Sequence, residues 1–171
     1  RGPPPPGSES VPPRPAAALA YVFPRGGRLL LPLTVRPTHL REHAGQVSLP
    51  GGRPAPGEDL WATALREARE EVGLDAREAE RVGDLAPLYI PVSHSHLTVC
   101  VALGPDPGEL RPEPAEVERI VLPALDDLLD PACRGTRRRE VAGVEVDVPF
   151  LDLCGLFVWG ATAMALAEFG A

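Results

Sequence analysis

The amino-acid sequence predicts an α+β domain in which a mixed β-sheet is sandwiched between helices. Three observations favour this class. Short apolar runs separated by turn residues recur along the chain, as β-strands do. One amphipathic helix is predicted near the middle from its apolar period, and a longer apolar segment near the end has the length of a closing helix. Strands interleaved with two main helices are typical of a sheet packed between helical layers.

The composition fits one domain preceded by an arm. The chain has 171 residues, of which 44% are hydrophobic and 24% charged, enough for one buried core. Seven of the first fifteen residues are proline, and such a segment has too little apolar surface to offset its ordering entropy. We therefore expect a Pro-rich arm over residues 1–15 and a single domain over residues 16–171. The arm could exchange onto a second subunit, so a homodimer is one expected assembly.

Charge and hydropathy exclude several classes of partner. The net charge of −7 argues against binding to nucleic acid, which requires a cationic surface. The most apolar stretch, residues 148–169, is interrupted by Pro149, Asp152 and two glycines, so we expect no membrane span. The first residues lack a signal-peptide pattern, and a cytoplasmic location is expected. The three cysteines lie in or beside apolar runs and are expected to be buried or inert.

The strands are predicted from apolar runs with turn residues at their ends. A hairpin is expected around residues 24–27, Pro-Arg-Gly-Gly, and Pro32 in its second strand indicates an edge or a bulge. The predicted strands cover residues 16–23, 28–34, 46–49, 85–91, 96–103, 117–122, 138–141 and 144–148. A short helix is expected at residues 125–129 and the closing helix at residues 156–169.

The clearest helix is predicted over residues 60–72. Asp59 precedes it as an N-cap, and Gly73 follows it where a left-handed C-terminal glycine belongs. Its buried stripe repeats at helical spacing and consists of Trp61, Ala64, Leu65, Ala68 and Val72.

This helix carries three glutamates on one face. Glu67, Glu70 and Glu71 stand at i, i+3 and i+4, where like charges repel. Little local compensation is expected, because Arg66 and Glu70 form an i,i+4 pair in the less favourable order. A solvated acidic face is one explanation. The other is a site for a hard dication, Mg²⁺ or Mn²⁺, which needs oxygen ligands and would turn the repulsion into attraction.

The residues that flank the helix decide between these explanations. The segment GRPAPGEDLWATALREAREEVGL, residues 52–74, resembles the Nudix box, G-x5-E-x7-R-E-U-x-E-E-x-G-U, in which U is a bulky apolar residue. Only Ala68 departs from it, being small for its position. The chain is therefore identified as similar to the Nudix hydrolases. The resemblance implies a Nudix fold and metal-dependent hydrolysis of a pyrophosphate linkage in a small nucleoside diphosphate derivative.

The resemblance also implies roles for the box residues. Glu67, Glu70 and Glu71 correspond to the family's metal-binding carboxylates, and one of them could also serve as the general base. Arg66 and Glu58 match positions that orient these acids by a salt bridge and hydrogen bonds.

Two further metal ligands are expected outside the helix. Gly51 lets the backbone approach closely, with a carbonyl oxygen free to bind a metal. Nudix enzymes often draw one more acid from outside the box, and Glu116 is a candidate. His94 and His96 would point to the same side of a strand, but carboxylates suit Mg²⁺ or Mn²⁺ better, so a pair without metal is favoured.

The segment before the box narrows the substrate. Residues 33–52, LTVRPTHLREHAGQVSLPGG, resemble the signature of coenzyme A diphosphatases in this superfamily, L-L-T-x-R-[SA]-x3-R-x3-G-x3-F-P-G-G, with departures at Pro37 and Leu49. Arg36 and Arg41 would then contact substrate phosphates, since guanidinium groups bind phosphate bidentately. Surface salt bridges that shape a loop are their alternative role. The implied reaction splits coenzyme A into 3′,5′-ADP and 4′-phosphopantetheine.

Two other functions stay open at this stage. One is a Nudix hydrolase of ADP-ribose, a nucleotide sugar or a damaged nucleotide, because substrate choice lies in loops that the box does not encode. The other is a non-catalytic Nudix module that binds a nucleotide. For Trp159 and Tyr89, a place in the core is favoured over a role as a platform on which a base stacks.

Overall fold

A computed structural model describes residues 12–39, 45–141 and 143–169 of the chain. Within these ranges the chain forms twelve strands and three α-helices. The strands are β1 (Arg14–Arg25), β2 (Arg28–Leu30), β3 (Leu33–Val35), β4 (Val47–Ser48), β5 (Gly51–Gly52), β6 (Glu80–Asp84), β7 (Leu88–Ile90), β8 (Ser95–Leu103), β9 (Arg119–Val121), β10 (Arg134–Val141), β11 (Val144–Leu153) and β12 (Leu156–Trp159). The helices are α1 (Leu60–Val72), α2 (Leu125–Leu129) and α3 (Gly160–Phe169).

The central sheet is built on two long parallel strands. β1 and β8 pair in parallel along nine residue pairs, and every other pairing in the sheet is antiparallel. The strand order is β2-β1-β8-β6, with β5 also paired to β1 and β7 to β8. Two three-stranded sheets, β4-β3-β9 and β10-β11-β12, complete the β-structure. The predicted mixed sheet is confirmed.

Strand β1 is buried on both faces, which is why its sequence is an unbroken apolar run. Leu19, Tyr21 and Phe23 pack with the buried stripe of α1 on one face. Ala20 and Val22 belong to the core on the opposite face, which also contains residues of α2 and α3. The sheet therefore lies between α1 on one side and the two later helices on the other, as the sequence predicts.

Helix α1 has the bounds and caps that its sequence predicts. The Asp59 side chain accepts a hydrogen bond from the Ala62 amide at 2.7 Å, and Gly73 adopts a left-handed φ of 67°. Ala64, Ala68 and Val72 are fully buried against β1. Because this face of α1 is buried against β1, the acids must lie on the other faces of the helix.

Three expectations differ from the structure in detail. β6 was not predicted, because its residues are mostly exposed and lack an apolar period. It forms by pairing with β8 through a register shift between Arg81 and Gly83. β1 begins at Arg14, within the expected arm, because it extends its parallel pairing with β8. Of the three cysteines, which were expected to be buried or inert, Cys100 is buried, Cys133 is partly buried and Cys154 lies exposed on a turn.

The closing helix is shorter than predicted. The first four residues of the expected helix form strand β12, which pairs with β11, and α3 begins only at Gly160. The predicted hairpin between residues 138–141 and 144–148 is confirmed, with Val141 opposite Val144. Its strands are longer than expected and join β12 in one small sheet. None of the described helices is both long and apolar enough to span a bilayer.

Candidate active site

The acids of α1 separate into two environments. Glu67 and Glu71 lie on the side of α1 that meets β5, and only 6% of Glu71 is exposed. The Glu71 carboxylate accepts a hydrogen bond from the Gly51 amide at 3.4 Å. The Glu70 side chain, in contrast, is 59% exposed. Two of the three predicted acids therefore converge on the glycine strand and the third faces outward.

The two glycines of β5 are required for different reasons. A Cβ atom on Gly52 would overlap the carboxylate of Glu67. A Cβ atom on Gly51 would overlap the backbone of β1 at Ala17 and Ala18, against which β5 is paired. Gly51 thus allows the two strands to meet, and Gly52 leaves the space that the Glu67 carboxylate occupies.

One arginine connects the acids. Arg66 binds both carboxylate oxygens of Glu58 through Nε at 2.9 Å and Nη2 at 3.0 Å. Its Nη1 atom lies 2.8 Å from Glu67 and 2.9 Å from Glu70. The expectation of little local compensation was wrong, because the arginine reaches three acids at once.

Glu58 is itself held by neighbours that precede or open the helix. It accepts hydrogen bonds from the Ala55 amide at 2.9 Å and from the Thr63 hydroxyl at 3.0 Å. The hydrogen bonds from Arg66 hold the pKa of Glu58 at about 2, so this carboxylate stays ionised as an anchor. Nothing in the motif singles out Thr63, which the sequence analysis missed.

The acids that face β5 are costly to ionise. Burial, together with the negative charges of Glu67 and Glu116, raises the pKa of Glu71 to about 7. Burial also raises the pKa of Glu67. One buried and one partly buried carboxylate, with a third acid close enough to affect both, favour a bound cation, which would stabilise their charged forms.

The donor set fits a hard dication incompletely. The carboxylates of Glu67 and Glu71 lie beside the backbone of Gly51 and Gly52, and oxygen donors of this kind suit Mg²⁺ and Mn²⁺. Among the described residues, however, no three side chains of His, Cys, Asp or Glu are grouped closely enough to hold a metal ion. Glu70 is paired with Arg66 on the exposed side, so its carboxylate is not presented to Glu67 and Glu71 together.

A cleft of about 460 Å³ opens beside these acids. Gly51, Gly52 and Glu71 form part of its wall together with Arg36. The remaining wall is largely apolar and comes from β1, β4, β7 with the turn after it, β8, β12 and α3, including Tyr89, Val92, Leu97, Trp159 and Met164. Such a cleft can hold a charged group at one end and an apolar group at the other.

Comparison with known proteins assigns the chain to a family. The family model of the NUDIX domain matches residues 12–142. The chain belongs to the Nudix family. It is accordingly a Nudix pyrophosphohydrolase, a class that acts on small diphosphate substrates and generally uses divalent metal ions.

Several curated Nudix proteins are similar to this chain along much of its length. Mitochondrial coenzyme A diphosphatase NUDT8 of Homo sapiens is 37% identical over 169 residues, covering 91% of this chain and 68% of that protein. Peroxisomal coenzyme A diphosphatase NUDT7 of Mus musculus is 37% identical over 116 residues, and the match spans about half (49%) of its length. NudL of Photorhabdus laumondii, an uncharacterized Nudix hydrolase, is 36% identical over 97% of this chain and 88% of its own.

Solved structures confirm the Nudix fold. The MutT NUDIX hydrolase from Burkholderia pseudomallei aligns with a TM-score of 0.54 and 26% identity over 91% of this chain and 98% of that one. RenU, a Nudix hydrolase from M. smegmatis, aligns with a TM-score of 0.57 and 22% identity over 67% of this chain and 72% of that one. The second likeness shows the shared fold alone.

The structure places the two predicted phosphate-binding arginines differently. Arg36 lies in the cleft wall of this Nudix domain, and its positive charge lowers the pKa of Glu71. Its Nε atom is buried and has no hydrogen-bond partner among the described residues. A buried donor without a partner is unfavourable unless a ligand supplies one. Arg41 lies outside the described residues.

Two aromatic and two histidine side chains lie in positions that differ from those predicted. Trp159 and Tyr89 are half-buried residues of the cleft wall, not core residues. His94 ends a short 3₁₀ turn with a φ of 48°, so it does not share a strand face with His96. Both rings contact Tyr89 edge-on, and the Tyr89 hydroxyl lies 2.9 Å from Nδ1 of His94.

Proposed function

We propose that this Nudix hydrolase cleaves the diphosphate linkage of coenzyme A, in a reaction that requires Mg²⁺ or Mn²⁺. The observation that carries the proposal is a cleft whose wall contains the buried acid Glu71 and the arginine Arg36 and is otherwise largely apolar. Coenzyme A has the matching parts, a diphosphate and a long pantetheine arm. The similarity to NUDT8 and the signature over residues 33–52 support the same substrate.

The metal would be held by the oxygens that meet at β5. Glu67 and Glu71 would be the inner ligands, with the Gly51 carbonyl and Glu116 as further donors, and Glu70 would join them by leaving its ion pair with Arg66. When bound, such an ion polarises a phosphoryl oxygen and lowers the pKa of a bound water. The raised pKa values of Glu67 and Glu71 support this assignment, because a nearby dication would relieve the cost of ionising them.

The protein's own residues position the substrate and keep the acids in place. Arg36 presents a donor without a partner to a phosphate oxygen in the cleft. Arg66 ties Glu67 to Glu58 and so fixes the carboxylate against Gly52. The apolar residues of the cleft wall, among them Leu97 and Met164, would cover the pantetheine arm and exclude water from it.

The balanced reaction consumes one water. Its oxygen attacks one phosphorus, the bridging P–O bond breaks, and the bridging oxygen leaves with the other phosphorus. Two phosphate monoesters result, 3′,5′-ADP and 4′-phosphopantetheine, with release of protons at neutral pH. The residues that bind the two phosphates must therefore stabilise charge on both sides of the bond.

A substrate panel tests the proposal. Purified protein with Mg²⁺ is incubated with coenzyme A, ADP-ribose, a nucleotide sugar and an oxidised nucleoside triphosphate, and the products are separated by chromatography. We expect the highest kcat/KM for coenzyme A and no turnover in EDTA. Intact coenzyme A beside hydrolysed ADP-ribose would exclude the proposed substrate, and turnover in EDTA would exclude the proposed metal.

We further infer a cytoplasmic location and a homodimeric state, with no nucleic-acid partner. These proposals are checked by cell fractionation, light scattering and a gel-shift assay. Recovery of the protein in an organelle fraction would contradict the location.

A further inference from the structure

The last three strands carry an exposed surface of arginine and aromatic side chains. Its members lie on one side of the small sheet, where Phe150 stands directly opposite Trp159. We call it the arginine–aromatic face, and it consists of Arg137, Arg139, Phe150, Phe157 and Trp159. The guanidinium carbon of Arg139 lies 4.6 Å from the ring centre of Trp159, and that of Arg137 lies 4.6 Å from the ring centre of Phe157.

The stacked guanidinium groups are fixed and uncompensated. Stacking holds the plane of a guanidinium against a ring and leaves its N–H edge available to a ligand. Neither Arg137 nor Arg139 forms an ion pair with an acid in the part of the chain that the structure describes. Arg138, between them, points to the other side and pairs with Asp147 at 3.4 Å.

Arg137 and Arg139 place two positive charges side by side in a chain that is acidic overall. It has 24 acidic residues and 17 basic ones, all of them arginine. The two arginines stand two residues apart on one strand face, where like charges are unfavourable. A site that holds two such charges side by side is suited to a doubly charged anion.

The face continues into the cleft of the active site. Trp159 contacts Arg139 and also lines the cleft that contains Gly51 and Glu71. Strands β11 and β12 follow residue 142, where the match to the family model ends. The face therefore lies at the rim of the cleft, with its two arginines inside the matched residues and its three aromatic rings beyond them.

We infer that Arg139, with Arg137 beside it, binds a phosphomonoester of the substrate that is separate from the diphosphate to be cut. This inference rests on the proposed function, and in coenzyme A the group is the 3′-phosphate. The arginine–aromatic face is then a specificity site, which makes the enzyme favour a substrate that carries this phosphate. Bidentate contacts from a planar guanidinium to a phosphate dianion provide the selectivity.

The test compares two substrates that differ by one phosphate. kcat/KM is measured for coenzyme A and for 3′-dephospho-coenzyme A with the wild type, Arg139→Gln, Arg139→Lys and Arg138→Gln. We expect the wild type to prefer coenzyme A and Arg139→Gln to lower that preference by about tenfold, through KM, as loss of one charge-assisted contact does. Arg138→Gln, from the same strand but the opposite side, is the matched control and should keep the wild-type ratio.

The lysine variant separates charge from geometry. Arg139→Lys keeps the positive charge but loses the planar fork, so we expect an intermediate ratio. It also keeps the test valid if the glutamine variant does not fold, because its ratio must still fall below that of the wild type. Circular dichroism spectra of all variants verify the fold.

Other outcomes contradict the inference. Equal kcat/KM for the two substrates in the wild type would overturn it, as would an unchanged ratio in both Arg139 variants. An equal loss on both substrates would show that Arg139 acts through structure alone. If the wild type cleaves neither compound, the proposed function itself fails, and the two failures are thereby distinguished.

Discussion

The acidic wall at α1 and β5 and the arginine–aromatic face differ in how the chain builds them. The wall gathers residues within a short segment, from Gly51 to Glu71, by helical spacing and one loop. The face depends on the register of three strands that spans residues 137 to 159. The comparison teaches that the proposed catalytic residues are brought together locally, whereas the proposed means of choosing a substrate depends on strand pairing.

The two regions also differ in the sign of the charge that lacks a partner. In the wall, burial raises the pKa values of Glu67 and Glu71, and Arg66 pairs with Glu67. On the face, two arginines have aromatic contacts but no acid among the described residues. The wall favours a cation and the face favours an anion, so variants in the two regions should affect catalysis differently.

The largest effect is expected from Glu71→Gln or Glu70→Gln. Loss of a ligand charge should lower kcat by about 10³-fold or more with the fold retained, since such charges act electrostatically in the transition state. Both coenzyme A and its 3′-dephospho form should be affected equally, which sharpens the contrast with Arg139. Glu80→Gln, an exposed acid of β6, is the control, and unchanged turnover in the ligand variants would place the active site elsewhere.

A smaller loss is expected from Arg66→Ala. This change releases Glu58, Glu67 and Glu70 together, and removing such an orienting partner typically costs about 10- to 100-fold in activity or metal affinity. Arg69→Ala, an exposed residue of the same helix, is the control for loss of positive charge. Equal effects of the two substitutions on kcat and on Mg²⁺ dependence would show that the contacts of Arg66 are not required.

The two glycines of β5 should respond differently to alanine. In Gly52→Ala the new methyl group displaces the Glu67 carboxylate, so we expect about a tenfold loss of kcat and little change in Tm. In Gly51→Ala it meets the backbone of β1, which cannot move aside, so stability should fall by about 1–3 kcal/mol. Thermal unfolding and steady-state kinetics on both proteins check the pair, and a reversed pattern would contradict the geometry.

The smallest effect concerns stability without metal. The Glu71 carboxyl loses its proton near its ordinary value of 4.5 when unfolded, but near a pKa of about 7 when folded. Between these values the native state binds more protons, so the free energy of unfolding falls as pH rises. Glu71→Gln lacks this contribution and should be more stable than the wild type at pH 8 in EDTA, by on the order of 1–3 kcal/mol.

Melting curves with and without Mg²⁺ from pH 4 to pH 8 measure this effect. Added Mg²⁺ should restore the stability of the wild type more than that of Glu71→Gln, because the carboxylate is the proposed ligand. The same dependence on pH in both proteins would show that Glu71 is not the group responsible.

Sequence pattern was sufficient where neighbours along the chain decide the structure. The bounds and caps of α1 follow from helical spacing, and the structure confirms them. The three acids were expected to share one face, but Glu70 faces outward, where it is paired with Arg66. The resemblance to the family implied that Arg66 and Glu58 orient the acids, and Arg66 contacts both Glu58 and Glu67. Spacing did not predict that one arginine reaches three acids at once, since the rotamer of a long side chain depends on its surroundings.

The sequence pattern failed to predict elements whose conformation depends on contacts between residues distant in the sequence. Residues 156–169 are apolar almost throughout, so their period does not distinguish strand from helix, and pairing with β11 settled the first four as a strand. β6 formed on the edge of β8 despite its polar sequence.

By itself, the sequence determined the acidic helix, the mixed sheet and the family, because these depend on short repeats and fixed spacings. Only the tertiary structure decided which acids are buried against β5, how β7, β12 and α3 close the cleft, and that Trp159 joins the arginine–aromatic face to it. The physical reason is that burial and strand register arise from contacts between segments far apart in the chain, which no local period contains.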